Sequence, residues 1–223
     1  AEAAVQAIEE AAANQVAVEL TVAQYDIQPT DCEGQGINNF NQDHRDPNIT
    51  DERLFSLLFT EAGGANTVAT LVNWPNHPEV MIDETILTSG FPHYLREGME
   101  NGVETPDGLV PGFGGTSIYV QGTCGGMMTP LGTDPYDLFG VQWTDYSFDM
   151  VQAQGDYLAY FALQSLQEGE VLESPELSFR FKEFGVLVEN QGYWLYLNLD
   201  VLNRDLFLFD IPDAEGLIGE DNM

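Results

Sequence analysis

The chain of 223 residues carries 6 lysines and arginines against 37 aspartates and glutamates, so its formal net charge is −31 at pH 7. This shortage of cations excludes a surface that binds nucleic acid through its phosphates, and it disfavours anionic membranes. No apolar stretch approaches the roughly 18 residues of a transmembrane helix. We expect a secreted protein, extracellular or periplasmic, or a salt-adapted one, kept soluble by surface carboxylates.

The N-terminal half predicts a helix, three strands and one long loop. Residues 1–14 are rich in strong helix formers, and residues 16–22 alternate between apolar and other side chains as a strand does. Residues 28–51 are acidic and polar, and loops of this length are usually functional or poorly ordered. The apolar runs 54–59 and 67–74 are joined by EAGGAN and predict a hairpin whose second strand is buried on both faces.

The C-terminal half mixes helices and strands. A helix is predicted to begin near Pro92, and the longest helix covers residues 148–168. A short strand is predicted at 117–121, before the glycine-rich turn, and further strands are predicted at 177–182 and 195–199 from their alternating side chains. The pattern predicts an α/β fold in which helices flank a mixed β-sheet.

Cys32 and Cys124 are the two cysteines of the chain. They could form one disulfide that closes a loop of about 90 residues and contributes about 4 kcal/mol in the chain-entropy model. They could equally remain buried free thiols. Two cysteines cannot by themselves complete a structural zinc site of the four-Cys or three-Cys kind.

Two loops concentrate the oxygen ligands that Ca²⁺ prefers. Asp43 and Asp46 lie in the first loop, PTDCEGQGINNFNQDHRDPNITDE. Asp134 and Asp145 lie in the second, LGTDPYDLFGVQWTDYSFD. Neither loop has the EF-hand spacing. These four residues are candidate calcium ligands, and the alternative is a solvated acidic surface.

His77 stands apart from the other histidines, His44 and His93, by its position directly after an apolar strand in LVNWPNHPEV. Side chains at strand ends of α/β sheets tend to line the ligand crevice, and imidazole is the commonest transition-metal ligand among side chains. His77 is therefore a candidate ligand or catalyst. The alternative is a packed loop histidine.

The glycine-rich turn GTCGGMMTP follows another predicted strand. Its backbone N–H groups could hold an oxyanion, and Thr123 or Thr129 could present a hydroxyl beside it. The alternative is a turn without a function.

Three segments in this order, TLVNWPNHPEV, ILTSGFPHYLREGME and SIYVQGTCGGMMTP, resemble the middle of the neutral/alkaline non-lysosomal ceramidase family. The similarity covers roughly residues 53–168. It implies that residues 1–223 form a single ceramidase-like domain or the central fragment of a larger one. It also implies a zinc-dependent amidase that cleaves the N-acyl bond of ceramide-like lipids.

The resemblance also implies roles for particular residues. Two histidines, a glutamate and a tyrosine hold zinc in the family, and His77 matches one of these histidines. The family's nucleophilic serine precedes a proline, and Thr129, before Pro130, occupies that position here. The other three zinc ligands have no counterpart in this chain, so whether it is an enzyme is left open.

Three explanations follow: a fragment whose companion chain or segment carries the other ligands, a catalytically decayed member, or an accidental similarity. The preferred function is a ceramidase-like zinc amidohydrolase module that is incomplete or degenerate on its own. The alternative is a non-enzymatic secreted structural or interaction protein. It would form an extracellular homo-oligomer or polymer, with calcium as a candidate ion.

Overall fold

The computed structural model of the chain describes residues 2–43, 47, 49–64, 66–123, 129–178, 180 and 191–199. The chain divides into two compact units, Ala1–Pro175 and Glu176–Met223. Whether residues 1–223 form the single domain that the sequence analysis expects stays a prediction. Within the described part, no helix combines the length and the hydropathy needed to cross a bilayer.

The first unit is a mixed α/β structure, as the sequence predicts. Its helices are α1 (Glu2–Ala13), the short α2 (Asp31–Gly34), α3 (Phe91–Asn101) and α4 (Phe148–Gln167), with a 3₁₀ turn at Gly36–Asn39. Its strands are β1 (Val18–Asp26), β2 (Arg53–Glu61), β3 (Thr67–Trp74), β4 (Val103–Thr105), β5 (Gly108–Val110), β6 (Thr116–Gln121) and β7 (Glu170–Leu172).

Five of the strands form one sheet in the order β6-β3-β2-β1-β7. The predicted hairpin is confirmed as the antiparallel pair of β2 and β3, and β1 is antiparallel to both β2 and β7. Strand β6 is parallel to β3, because α3 lies in the connection between them. The short strands β4 and β5 form a separate hairpin.

Helices α3 and α4 pack against each other and against this sheet. Alternate residues of the central strands, among them Leu54, Val72 and Trp74, are fully buried in this core. Helix α4 begins after Ser147, whose Oγ accepts a hydrogen bond from the Met150 N–H at 3.2 Å. Removing this apolar surface from water, at about 25 cal/mol per Å², is the main stabilising term of the unit.

The long polar loop between β1 and β2 is anchored in the same core through Phe40. This side chain is fully buried, and its ring meets those of Trp74, Tyr157 and Phe161 edge-on at 6.0, 6.1 and 6.2 Å. Such edge-to-face pairs each add about 0.5–1.5 kcal/mol to the burial energy. The residues next to Phe40 therefore have fixed positions, and the functional site is built on them.

The prediction that β3 is buried on both faces is wrong. Thr70, Val72 and Trp74 are buried, whereas the intervening Leu71 and Asn73 are only partly buried. An apolar run without clear alternation suggests a strand covered on both sides, but α3 and α4 pack on one face of this sheet only.

In the second unit, the strand predicted at 195–199 is also wrong, because Gln191–Asn198 forms helix α5. The segment QGYWLYLN is almost continuously apolar, so periodicity could not distinguish a strand from a helix. Of the strand predicted at 177–182, residues 179, 181 and 182 lie outside the described residues.

Candidate functional site

The site consists of Thr129, Glu79 and His77. The Thr129 hydroxyl donates a hydrogen bond to Oε2 of Glu79. The other carboxylate oxygen of Glu79, Oε1, lies 3.6 Å from Nδ1 of His77. The two residues that the sequence singled out, 52 positions apart, thus meet through a third residue that sequence reasoning missed.

Glu79 and His77 are positioned by the segment that leaves β3. The Glu79 N–H donates to the His77 carbonyl at 3.0 Å, which closes a three-residue turn around Pro78. The buried Val80 holds the far end of this turn in the core. Both side chains remain about one-third exposed, at 33% and 32%, so solvent or a ligand can reach them.

Thr129 is held on the opposite side by an isolated β-bridge to Gln42. The Gln42 N–H donates to the Thr129 carbonyl at 2.9 Å, and the Thr129 N–H donates to the Gln42 carbonyl at 3.3 Å. The Thr129 hydroxyl also accepts a hydrogen bond from the Leu131 N–H at 3.1 Å. Because the hydroxyl oxygen accepts this bond, its proton is directed towards Glu79.

The loop residues 40–42 connect the two sides of the site. The Asn76 amide donates to the Phe40 carbonyl at 2.8 Å, and the Asn41 amide donates to the Pro75 carbonyl at 3.4 Å. The Gln42 side chain donates to the Leu131 carbonyl at 2.8 Å. The polar loop is therefore the element that fixes Thr129 relative to the turn after β3.

This arrangement can activate a hydroxyl. A threonine is a weak nucleophile until an adjacent base takes its proton, and the Glu79 carboxylate is in hydrogen-bond contact with that proton. The order differs from the serine–histidine–aspartate triad, in which histidine contacts the nucleophile. Here the carboxylate lies between the hydroxyl and the imidazole.

The described residues do not fit a catalytic zinc site. Such a site takes three protein ligands and a water molecule. No group of three or more His, Cys, Asp or Glu side chains in the described part of the chain could hold a metal ion. His77 and Glu79 supply at most two ligands, and one oxygen of Glu79 is bonded to Thr129.

The candidate calcium ligands are not brought together either, as far as the described residues extend. Asp43 is buried, and its Oδ2 accepts a hydrogen bond from the Ile49 N–H at 2.9 Å. Asp134 and Asp145 are exposed, and Asp46 lies outside the described residues. Calcium binding stays a prediction.

Cys32 is buried, and its thiol has a raised pKa. Burial is the largest cause, and the carboxylates of Asp31 and Glu33 raise the pKa further. Cys124 lies outside the described residues, so the disulfide between the two cysteines stays a prediction.

No family model matches the sequence, and a search of curated proteins found no match either. Among solved structures, the chain is similar to the neutral ceramidase from Pseudomonas aeruginosa, with 16% identity and a TM-score of 0.47. The match covers 74% of this chain and 24% of that one. This chain therefore spans about a quarter of that enzyme's length, and the likeness is weak and partial.

Proposed function

We propose that the chain is the nucleophile-bearing module of a ceramidase-like N-acyl amide hydrolase, incomplete on its own. The observation that supports this proposal is the hydrogen bond from the Thr129 hydroxyl to Glu79, with His77 beside the second carboxylate oxygen. Thr129 is the nucleophile, Glu79 is the general base, and His77 is a positioning residue that orients the carboxylate.

In the proposed reaction, Thr129 Oγ attacks the carbonyl carbon of an N-acyl amide and passes its proton to Glu79. The carbon–nitrogen bond then breaks, and the leaving amine takes the proton from Glu79. Water, deprotonated by Glu79, hydrolyses the resulting acyl-threonine ester, which releases the carboxylic acid and restores the hydroxyl. A positioned base of this kind contributes about 10²–10⁴ to the rate.

Zinc belongs to this proposal only through a companion chain or segment that adds ligands to His77, and no step above depends on it. A bound zinc would polarise the amide carbonyl. Ceramide-like lipids as substrates and secretion from the cell are parts of the same proposal. We expect no hydrolysis of ceramide by the isolated chain.

The first half of the reaction can be tested on the chain alone. Thr129 is only 7% exposed, so acylation will be slow and is best followed in a single turnover. The purified chain is incubated with p-nitrophenyl decanoate, an activated ester, and the acylated residue is identified by intact-mass and peptide mass spectrometry. We expect one acyl group on Thr129, none in Thr129→Val, and a rate about 10²–10⁴ lower in Glu79→Gln.

Matched controls are available nearby. Thr133 is also a buried threonine, and its hydroxyl donates to the Pro130 carbonyl at 2.7 Å, so Thr133→Val should leave acylation unchanged. Glu84→Gln removes an exposed carboxylate after the same turn and should also have no effect. Acylation at the wild-type rate in Thr129→Val or in Glu79→Gln would contradict the proposal.

A non-enzymatic protein that forms an extracellular assembly is the second candidate function. A separate observation favours it, because one apolar face of the five-stranded sheet is left open in the described structure. Self-association through that face would give such an assembly.

A further inference from the structure

One face of the sheet packs on α3 and α4, and the opposite face carries a second set of apolar side chains. Strand register aligns Val22, Leu57, Leu71 and Ile118 in one row across four strands. Phe55 and Val120 lie in the next row, on either side of Asn73. We call the surface formed by these two rows and the parallel row of Leu20, Phe59 and Ala69 the open sheet face.

The open sheet face is most accessible to solvent at its β6 edge and at Phe55, whereas Val22, Leu57 and Leu71 in its centre are only partly exposed. Ile118 is 44% exposed, Val120 40% and Phe55 37%. Helix α1 is exposed along residues 3–13 and does not bury these side chains. An apolar patch of about 400 Å² is comparable to the largest patch that a typical monomer exposes, and such patches are often functional.

The open sheet face is nearly free of charge, although the chain has a net charge of −31. In its three rows the described strands place one carboxylate, Glu170, at the β7 edge beside Val22. Charged residues flank the three rows. In register, Asp26 lies opposite Arg53 at one end and Val18 opposite Glu61 at the other. The Arg53 guanidinium is hydrogen-bonded to Asp51 and lies 5.4 Å from the centre of the Phe55 ring, at the margin of the face. A basic partner would need several carboxylates opposite its cations, and the three rows offer only Glu170. An uncharged apolar surface of the same kind is the better complement.

We propose that a second copy of the chain covers the open sheet face, forming a two-fold dimer by sheet-on-sheet packing. Strands lie about 4.8 Å apart and alternate residues of a strand about 6.6 Å apart, so the face spans roughly 20 Å by 20 Å. Two such faces bury on the order of 1,000 Å² of accessible surface, which is the lower limit for a specific interface and fits a weak, concentration-dependent dimer. Facing sheets then pack about 10 Å apart with interdigitated side chains.

The net charge predicts how the stability of the dimer should depend on salt. Two chains of −31 repel each other, and salt reduces that repulsion, because the Debye length falls from about 10 Å at 0.1 M to about 3 Å at 1 M. We therefore expect the dimer to become more stable with added salt, in contrast to an interface held by ion pairs.

Sedimentation velocity of the full chain over a range of protein concentrations, in about 0.1 M and about 1 M NaCl, tests the proposal. We expect a monomer–dimer equilibrium whose dissociation constant falls at least about tenfold at the higher salt concentration. Ile118→Glu and Val120→Glu, each introducing a charge into the face, should leave only monomer. Leu109→Glu makes the same change at a leucine of β5, outside the sheet, that is 55% exposed, and should dimerise as the wild type does.

Circular dichroism spectra and melting curves of each variant show whether it folds, since residues 118 and 120 lie on an edge strand and are exposed. A chain that stays monomeric at both salt concentrations would overturn the proposal. Dimerisation of both Ile118→Glu and Val120→Glu at the wild-type level would also overturn it. A third contradicting result is that the wild-type monomer binds uncharged phosphatidylcholine vesicles and that Ile118→Glu abolishes this binding. The face variants should acylate at Thr129 as the wild type does, so the two proposals fail independently.

Discussion

At the scale of single residues, the site depends on Glu79, because this carboxylate contacts both the Thr129 hydroxyl and the His77 imidazole. Its position two residues after His77 was a signal that the sequence contained. A carboxylate so close in sequence to a candidate ligand usually belongs to a solvated turn. Nothing in the sequence indicates that the Thr129 hydroxyl lies beside the Glu79 carboxylate. Only the three-residue turn around Pro78 and the bridge between Thr129 and Gln42 reveal the contact.

The thiol of Cys32 makes the stability of the fold depend on pH. Its pKa is raised by burial and by the neighbouring Asp31 and Glu33, whereas the unfolded chain has a thiol pKa of about 8.5. As the pH rises through about 8.5, the unfolded state loses its proton first, so the contribution of Cys32 to stability is lost as the pH rises.

Iodoacetamide labelling at about pH 9, near the thiol pKa of the unfolded chain, measures this difference in a Cys124→Ser variant, which leaves a single thiol. We expect Cys32 of the folded chain to react at least about tenfold more slowly than in urea, because the thiolate is the nucleophile. Equal rates in the folded and unfolded chains would show that the thiol is neither buried nor perturbed.

At the scale of secondary structure, much of the first unit could be predicted from the sequence. Pro92 at the start of α3 and the alternation in β1 are local signals, and both elements form. The polar loop 28–51 could not be understood in this way. Its composition suggests an irregular segment, whereas the burial of Phe40 depends on three aromatic rings that are remote in sequence.

Close packing of α3 on α4 depends on Gly155 and leads to another prediction. A Cβ atom at this position would lie 2.5 Å from Tyr94 Cβ and 2.8 Å from the Phe91 carbonyl oxygen. In an exposed helix, Gly→Ala stabilises by about 1 kcal/mol. Here we expect Gly155→Ala to lower the free energy of unfolding by about 1–3 kcal/mol, because the two helices must separate.

Urea unfolding monitored by circular dichroism measures this change. Gln167→Ala, at the exposed end of α4, is the control and should alter stability by less than about 0.5 kcal/mol. An unchanged or more stable Gly155→Ala variant would contradict the packing of these helices.

For the molecule as a whole, the composition indicates which partners are disfavoured, but it does not indicate where the charged and apolar side chains lie on the surface. The charge of −31 predicts that the chain does not bind partners through their phosphates, yet it does not predict that the three rows of the open sheet face carry only one carboxylate. That absence follows from register, which depends on how the strands pair. Likewise, the sequence indicated His77 and Thr129 as two separate candidates. Only the folded chain shows that the polar loop is hydrogen-bonded to the segments that carry both of them.

The proposed reaction depends on the contact between Thr129 and Glu79, and a double-mutant cycle measures the strength of that contact. The free energy of unfolding is measured by urea denaturation for the wild type, Thr129→Val, Glu79→Ala and the double variant. The control cycle replaces Thr129→Val with Thr133→Val and should be additive within about 0.5 kcal/mol. We expect a coupling energy of about 0.5–3 kcal/mol between Thr129 and Glu79, as for residues in contact, and additive effects would show that the two side chains do not share a site.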